Sequence, residues 1–198
     1  MKAMGLPNRL TVFRFGLALG LGACLVNYNY THWLMTGLCL FVAAAITDLY
    51  DGMVARWYDI ETDFGKFMDP LADKVTTLVA FIFFVEIPEL AWPAWLVIFL
   101  IARELAVNSL RTLAANRDVV LSASWTGKYK TAVQMMGIFL VLLGLILFRL
   151  GIVGIQWLNG VNWTTMSLIL AITIYSGSEY FYMNWPLLKR SSYSDYSE

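Results

Sequence analysis

The chain has 198 residues, 59% of them hydrophobic and 14% charged, and its formal net charge at pH 7 is zero. Apolar runs long enough to cross about 30 Å of hydrocarbon recur along it, which excludes an ordinary soluble domain. The sequence predicts one all-α integral membrane domain over 1–188 and a polar, disordered tail over 189–198. No nucleic-acid partner is expected.

Six transmembrane helices are predicted in chain order, after a short interfacial N-terminal segment that precedes Pro7. They cover about 10–29, 34–56, 66–86, 92–111, 124–149 and 161–184. Because proline is tolerated only in the first turns of a helix, Pro70 suggests that the third helix begins close to Gly65. In the first helix, Gly16 and Gly20 form a GxxxG motif, which marks either a dimer face or packing within one protomer.

Basic residues predict the orientation of these helices. Thirteen of the fourteen Lys and Arg residues fall toward one side of the membrane, and only Arg149 falls toward the other. By the positive-inside rule, both termini face the cytoplasm. The far side carries Glu86, Glu89, Trp92 and Trp95, and we expect these tryptophans to lie in an interfacial aromatic belt.

Four carboxylates lie within the apolar stretches of the second and third helices. Helical spacing places Asp48 and Asp51 on one face with Gly52, Ala55 and Arg56, and it places Asp69 and Asp73 on one face with Gly65. A loop of roughly eight residues joins the two helices, so they should be antiparallel neighbours that turn these faces toward one another. An ionised side chain at a helix centre costs about 2.5–3.5 kcal/mol on insertion scales, so the cluster needs a cation or a chemical role.

Carboxylate oxygens suit Mg²⁺ or Mn²⁺, and four of them could hold two ions in an arrangement that supports phosphoryl-type transfer. The absence of thiolate and imidazole argues against zinc. The alternative is a structural acid cluster neutralised by Arg56, Lys66 and Lys74, which explains the charge balance but neither the glycines nor the shared faces.

These residues resemble the motif of the CDP-alcohol phosphatidyltransferases. The matching string is Asp48-x2-Asp51-Gly52-x2-Ala55-Arg56-x8-Gly65-x3-Asp69-x3-Asp73. The resemblance implies a homodimer of six-helix subunits, with two divalent cations held by the four aspartates beneath a CDP-linked lipid. It also implies that Asp73 is the general base and that Gly52, Ala55, Arg56 and Gly65 contact the nucleotide. The only histidine, His32, lies on the opposite side, which favours direct displacement without a covalent intermediate.

A basic cluster outside the motif would attract a phosphate. It consists of Arg103, Arg111, Lys128 and Lys130. Snorkelling at the cytoplasmic surface explains the two lysines equally well. Arg103 lies deep in the fourth helix and needs an anion, either Glu104, Glu179, a substrate phosphate or the acidic cluster. Glu179 could enter the site or pair with a basic neighbour.

Further strings resemble the phosphatidylglycerophosphate synthases of this family. They are Pro7-Asn8-Arg9-Leu10-Thr11-x2-Arg14, Ala102-Arg103-Glu104 with Arg111, Gly127-Lys128-x-Lys130-Thr131-x2-Gln134, and Ser176-Gly177-x-Glu179-Tyr180. This resemblance implies CDP-diacylglycerol as donor and sn-glycerol 3-phosphate as acceptor, in a bacterial cytoplasmic or an organellar inner membrane. The basic cluster would hold the acceptor phosphate, and Asn8, Thr11 and Arg14 would lie near the nucleotide or the cytoplasmic cavity.

Two alternatives stay open. An enzyme of the same family could use another acceptor, either phosphatidylglycerol to give cardiolipin or an inositol phosphate. A divalent-cation transporter also places acids in membrane helices, but it needs polar groups that continue to the far side.

Overall fold

The computed structural model describes residues 6–58, 63–115 and 125–185, and within these ranges the chain forms six α-helices and no strand. They are α1 (Leu6–Val26), α2 (Thr31–Tyr58), α3 (Asp63–Glu86), α4 (Ala94–Ala115), α5 (Trp125–Arg149) and α6 (Ile155–Met183). Each predicted span corresponds to one helix. The largest difference is at α6, which begins at Ile155, before the predicted residue 161, because Gln156, Asn159 and Gly160 lower the hydropathy of its first turns.

The described helices expose large apolar side chains on their outer faces. In the described part of the chain, two segments, Thr31–Asp48 and Trp125–Arg149, are long and apolar enough to cross a bilayer. Large apolar side chains also stay exposed on the outer faces of other helices, among them Ile98 and Leu105 on α4 and Leu168 on α6. Exposed apolar surface of this kind marks contact with a membrane or another protein. The all-helical architecture is therefore consistent with an integral membrane protein.

Helix α1 packs along both α2 and α3, which contact each other over a shorter stretch of the described residues. Glycines allow this close approach. A Cβ at Gly20 would lie 3.2 Å from Leu40 Cδ1 on α2, and one at Gly22 would lie 3.3 Å from Val79 Cγ1 on α3. The second glycine of the GxxxG motif thus packs within the protomer, whereas Gly16 has open space beside it. Helix α1 therefore makes much of the connection between the two acidic helices.

The prediction of an interfacial belt is wrong for Trp92. Its side chain is 2% exposed and stacks on Phe81 with ring centroids 5.5 Å apart. The indole Nε1 donates to Asn162 Oδ1 at 2.5 Å, and Asn162 Nδ2 donates to the Leu90 carbonyl at 2.7 Å. Because its N–H finds a buried amide, the ring can leave the interface for the core. Trp95 is exposed, as the belt requires.

One end of the bundle is closed by an ion pair. Arg149 Nη2, at the end of α5, lies 2.6 Å from Glu89 Oε1 in the connection between α3 and α4. The C-terminal ends of α3 and α5 therefore meet at this end. Arg149 and Glu89 lie together there, as the charge pattern of the sequence predicted.

Candidate functional site

A cavity of about 460 Å³ lies among the helices. All six helices contribute to its described lining, from Arg14 on α1 to Tyr180 on α6. Among the side chains that the structure describes, the charged lining consists of six cations and two acids: Arg14, Lys74, Arg103, Arg111, Lys128 and Lys130, with Asp48 and Glu104. This excess of positive charge favours an anionic ligand.

The basic cluster predicted to bind the acceptor phosphate converges on this cavity. Arg103 and Arg111 lie on α4 and face Lys128 and Lys130 on α5 across the lining. These helices are separated by residues 116–124, which lie outside the described part of the chain. Both helices pack on α3 and on α6, and this packing assembles the cluster.

Glu104 is the anion that holds the inner half of the cluster. Its Oε1 lies 3.1 Å from Arg103 Nη1 and also accepts a short hydrogen bond from Lys130 Nζ. Its Oε2 lies 3.5 Å from Lys74 Nζ. One carboxylate therefore faces cations from α3, α4 and α5. Of the anions considered for Arg103, the structure shows Glu104.

Helix α6 supports Arg103 from its other side. The guanidinium Nη2 donates to Ser176 Oγ at 2.9 Å. A Cβ at Gly177 would lie 3.3 Å from Arg103 Nε, so the missing side chain gives the arginine room against the helix. Ser176 and Gly177 belong to the quoted sequence string, but their contact with Arg103 becomes visible only in three dimensions.

Arg111 and Lys128 are held by aromatic rings rather than by acids. Arg111 Nε donates to the Tyr180 hydroxyl at 3.3 Å, and its Cζ lies 5.5 Å from the Tyr180 ring centroid. Lys128 Nζ lies 4.9 Å from the centroid of Trp125. Such cation–π contacts leave the positive charge available to a ligand. Neither side chain forms an ion pair with the described residues.

Asp48, the first acid of the motif, lies beside the basic cluster and lines the same cavity. Its Oδ1 lies 2.8 Å from Arg14 Nη1, and the arginine side chain is almost fully buried. Arg14 therefore joins α1 to the acidic face of α2. It also lines the cavity, near which the sequence predicted it to lie.

The remaining motif residues lie on helical backbone as predicted, although their side chains are outside the described part of the structure. Helix α2 carries Asp51, Gly52, Ala55 and Arg56, helix α3 carries Gly65, Asp69 and Asp73, and helix α1 carries Asn8 and Thr11. The helical register that places the acids of each helix on one face is thus present. Their contacts and roles stay predictions.

The donor set fits a hard divalent cation. Four carboxylates on two helices provide the oxygen ligands that Mg²⁺ and Mn²⁺ prefer. Only Asp48 has a described side chain, and no group of three possible ligands occurs among the side chains that the structure describes. The fit therefore rests on the chemistry of the residues and on their helical register.

Glu179 lies outside the cavity lining. Its Oε2 accepts a hydrogen bond from Thr126 Oγ1, which joins α6 to the first turn of α5. No ion pair of Glu179 occurs among the described residues. Neither role considered for it from the sequence is seen there.

Several uncharged residues also line the cavity, and the sequence pattern alone indicates no role for them. Asn108 Oδ1 accepts from Lys74 Nζ at 2.5 Å, and Thr76 and Gln134 also belong to the lining. Helical register could have found two of them, since Asn108 follows Glu104 by four residues and Gln134 follows Lys130 by four.

Comparisons with known proteins agree with this site. Residues 4–178 match the family described as CDP-alcohol phosphatidyltransferase. The CDP-diacylglycerol--glycerol-3-phosphate 3-phosphatidyltransferase of Bacillus subtilis (strain 168) is 40% identical over 158 residues, covering 80% of this chain and 78% of that protein. The protein of the same name from Wigglesworthia glossinidia brevipalpis is 32% identical over 190 residues, covering 95% and 99%. This chain therefore belongs to the CDP-alcohol phosphatidyltransferase family.

Proposed function

We propose that this protein transfers the phosphatidyl group of CDP-diacylglycerol to sn-glycerol 3-phosphate, giving phosphatidylglycerophosphate and CMP. The observation that carries the proposal is the cationic cavity, where Arg103, Arg111, Lys128 and Lys130 meet beside Asp48. Two relatives that match most of this chain are named for that reaction. Acids that could hold divalent cations, next to cations that could hold a phosphate, form the arrangement that the reaction needs.

The donor half of the site is formed by α2 and α3. Asp48, Asp51, Asp69 and Asp73 would hold two divalent cations, which stabilise the charge that develops on the diphosphate. Gly52, Ala55, Arg56 and Gly65, together with Asn8 and Thr11, would contact the CDP moiety.

Asp73 acts as the general base in this proposal. It takes the proton of the acceptor hydroxyl, the hydroxyl oxygen attacks the phosphorus that carries the diacylglycerol, and the bond from that phosphorus to the CMP oxygen breaks. The reaction is a single displacement. Among the described residues, neither cysteine nor His32 lines the cavity, so no side chain of that kind is placed to form a covalent intermediate.

The acceptor half of the site explains the preference for a phosphomonoester. Arg111 and Lys128 have no acidic partner among the described residues, so both can donate to a phosphate. A monoester phosphate carries up to two negative charges, whereas the diester of phosphatidylglycerol carries one. The cations of the described lining therefore favour glycerol 3-phosphate over phosphatidylglycerol.

The enzyme also needs a membrane, an orientation and an oligomeric state. We place it in a bacterial cytoplasmic membrane as a homodimer, with the cavity and both termini on the cytoplasmic side. The charge pattern supports this orientation, since Arg149, the one cation assigned to the far side, pairs with Glu89 where the C-terminal ends of α3 and α5 meet.

The test is release of CMP by the purified protein in detergent micelles with CDP-diacylglycerol, Mg²⁺ or Mn²⁺, and an acceptor. Glycerol 3-phosphate should support release, and EDTA should stop it until excess metal is restored. Release with inositol phosphate or phosphatidylglycerol, but not with glycerol 3-phosphate, would change the acceptor assignment. No release with any of these acceptors would refute the proposed activity.

A further inference from the structure

Two uncharged polar side chains in the cavity have no partner in the part of the chain that the structure describes. Gln134 on α5 is 5% exposed, and its side-chain amide makes no hydrogen bond with the described residues. Thr76 on α3 is 3% exposed, and its Oγ1 has no hydrogen-bond partner. Both residues line the cavity. Buried polar groups are nearly always hydrogen-bonded, so a ligand in this cavity could supply the bond that Thr76 Oγ1 lacks and also meet the Gln134 amide.

Helical register places each member of this pair about one turn beyond a residue of the proposed acceptor site, toward the end where α3 and α5 meet. Gln134 follows Lys130 by one helical turn on α5, about 6 Å along the axis. Thr76 follows Asp73 by three residues on α3 and so lies on the same face of that helix. In the proposed reaction, Lys130 helps to hold the acceptor phosphate and Asp73 receives the proton of the attacking hydroxyl.

Glycerol 3-phosphate has three polar groups, and the proposed function accounts for two of them. The phosphate meets the cations and the terminal hydroxyl meets Asp73, which leaves the hydroxyl of the middle carbon. A three-carbon chain that extends from Lys130 to Asp73 would have Gln134 and Thr76 one turn deeper in the same cavity, where they could meet this hydroxyl. An amide and a hydroxyl match an uncharged hydroxyl, because each can donate and accept.

We infer that Gln134 and Thr76 form the subsite that recognises the middle hydroxyl of the acceptor, and this inference rests on the proposed function. Gln134 offers both an amide donor and a carbonyl acceptor, and Thr76 adds a second hydroxyl. A site that hydrogen-bonds a substrate hydroxyl discriminates against the analogue that lacks it, because its own polar groups then stay unpaired. The pair therefore makes the enzyme selective for a glycerol phosphate over a simple alcohol phosphate.

The experiment compares kcat/KM for glycerol 3-phosphate and for 3-hydroxypropyl phosphate, which has the same phosphate and attacking hydroxyl but no middle hydroxyl. The wild-type enzyme should prefer glycerol 3-phosphate by about 10-fold or more. Gln134→Met and Thr76→Val should lower kcat/KM for glycerol 3-phosphate and leave that for the analogue nearly unchanged, so the preference shrinks. Thr76→Ser keeps the hydroxyl and should retain the preference.

Thr173→Val is the matched control. Thr173 on α6 is also fully buried with an unpartnered Oγ1, but it does not belong to the cavity lining. This variant should keep the wild-type preference between the two acceptors. A loss of preference in Thr173→Val as large as in Thr76→Val would overturn the inference, since it would mean that any buried hydroxyl has this effect.

Other outcomes separate this inference from the proposed function. Wild-type enzyme that is active on glycerol 3-phosphate but does not discriminate against the analogue overturns the inference alone, and this result needs no variant to fold. The inference is also overturned if Gln134→Met and Thr76→Val lower kcat/KM equally for both acceptors. It is overturned as well if these variants raise the KM for CDP-diacylglycerol and leave the acceptor preference unchanged. Wild-type enzyme that transfers to neither acceptor overturns both.

Discussion

Lys130 on α5 and Glu104 on α4 form an ion pair inside the cavity, and Glu104 also faces Arg103 and Lys74. Among the described side chains, this one carboxylate faces three cations, so a phosphate bound nearby would add negative charge to a group rich in cations. The same contacts join three helices, so the pair contributes to the fold as well as to the proposed acceptor site.

Glu104→Gln should lower the stability of the protein. Its side chain is 16% exposed, and its loss leaves the buried Lys130 ammonium without the acid that it pairs with, at a cost of about 3 kcal/mol. Thermal unfolding in detergent measures the loss. Lys130→Met should lower the free energy of unfolding less in the Glu104→Gln background than in the wild type. Additive losses would show that the two residues are not coupled. Glu86→Gln, at an exposed glutamate, is the control and should change little.

Arg111→Ala should raise the KM for glycerol 3-phosphate roughly 10- to 100-fold, because the phosphate loses a charge-assisted hydrogen bond. The KM for CDP-diacylglycerol should stay close to that of the wild type. Steady-state CMP release at varied acceptor and donor concentrations separates the two effects. Arg149→Ala removes a guanidinium that pairs with Glu89 outside the cavity lining, and it should leave both constants unchanged. An unaltered acceptor KM in Arg111→Ala would remove Arg111 from the phosphate site.

Asp73→Asn should abolish transfer while CDP-diacylglycerol still binds. The amide cannot take the proton of the acceptor hydroxyl, whereas the other three acids can still hold a cation. CMP release measures turnover, and titration with CDP-diacylglycerol in the presence of Mg²⁺ measures binding. Parallel loss of binding and turnover would indicate that Asp73 is a metal ligand without a role as base.

Gly137→Ala should destabilise the contact between α5 and α6. A Cβ at this position would lie 2.7 Å from Thr165 Cγ2 and 2.8 Å from Ile169 Cδ1, so the helices must shift, at a cost of about 1–3 kcal/mol. Gly160→Ala on α6 has no atom within 4 Å and should be neutral or stabilising. Thermal unfolding of the two variants compares them directly. Similar melting temperatures would show that the packing at Gly137 yields easily.

Local sequence patterns predicted much of the fold. Apolar runs predicted one helix for each span, since length and periodicity depend on neighbouring residues alone. The belt prediction failed for Trp92 because its environment comes from Phe81 on α3 and Asn162 on α6, far away in sequence. Hydropathy describes a residue by its own chemistry and does not specify the distant partners that bury it.

The sequence by itself determined the six helices, the faces that carry the acids of α2 and α3, and the set of cations from which a phosphate site is built. Helical spacing is local, so it can be read from the chain. Only the tertiary structure decided which of these charges meet. Glu104, and not Glu179, holds Arg103 and Lys130, and Gln134 and Thr76 line the same cavity from different helices. The physical reason is that the packing of the helices sets distances between their side chains, and no spacing along the chain specifies it.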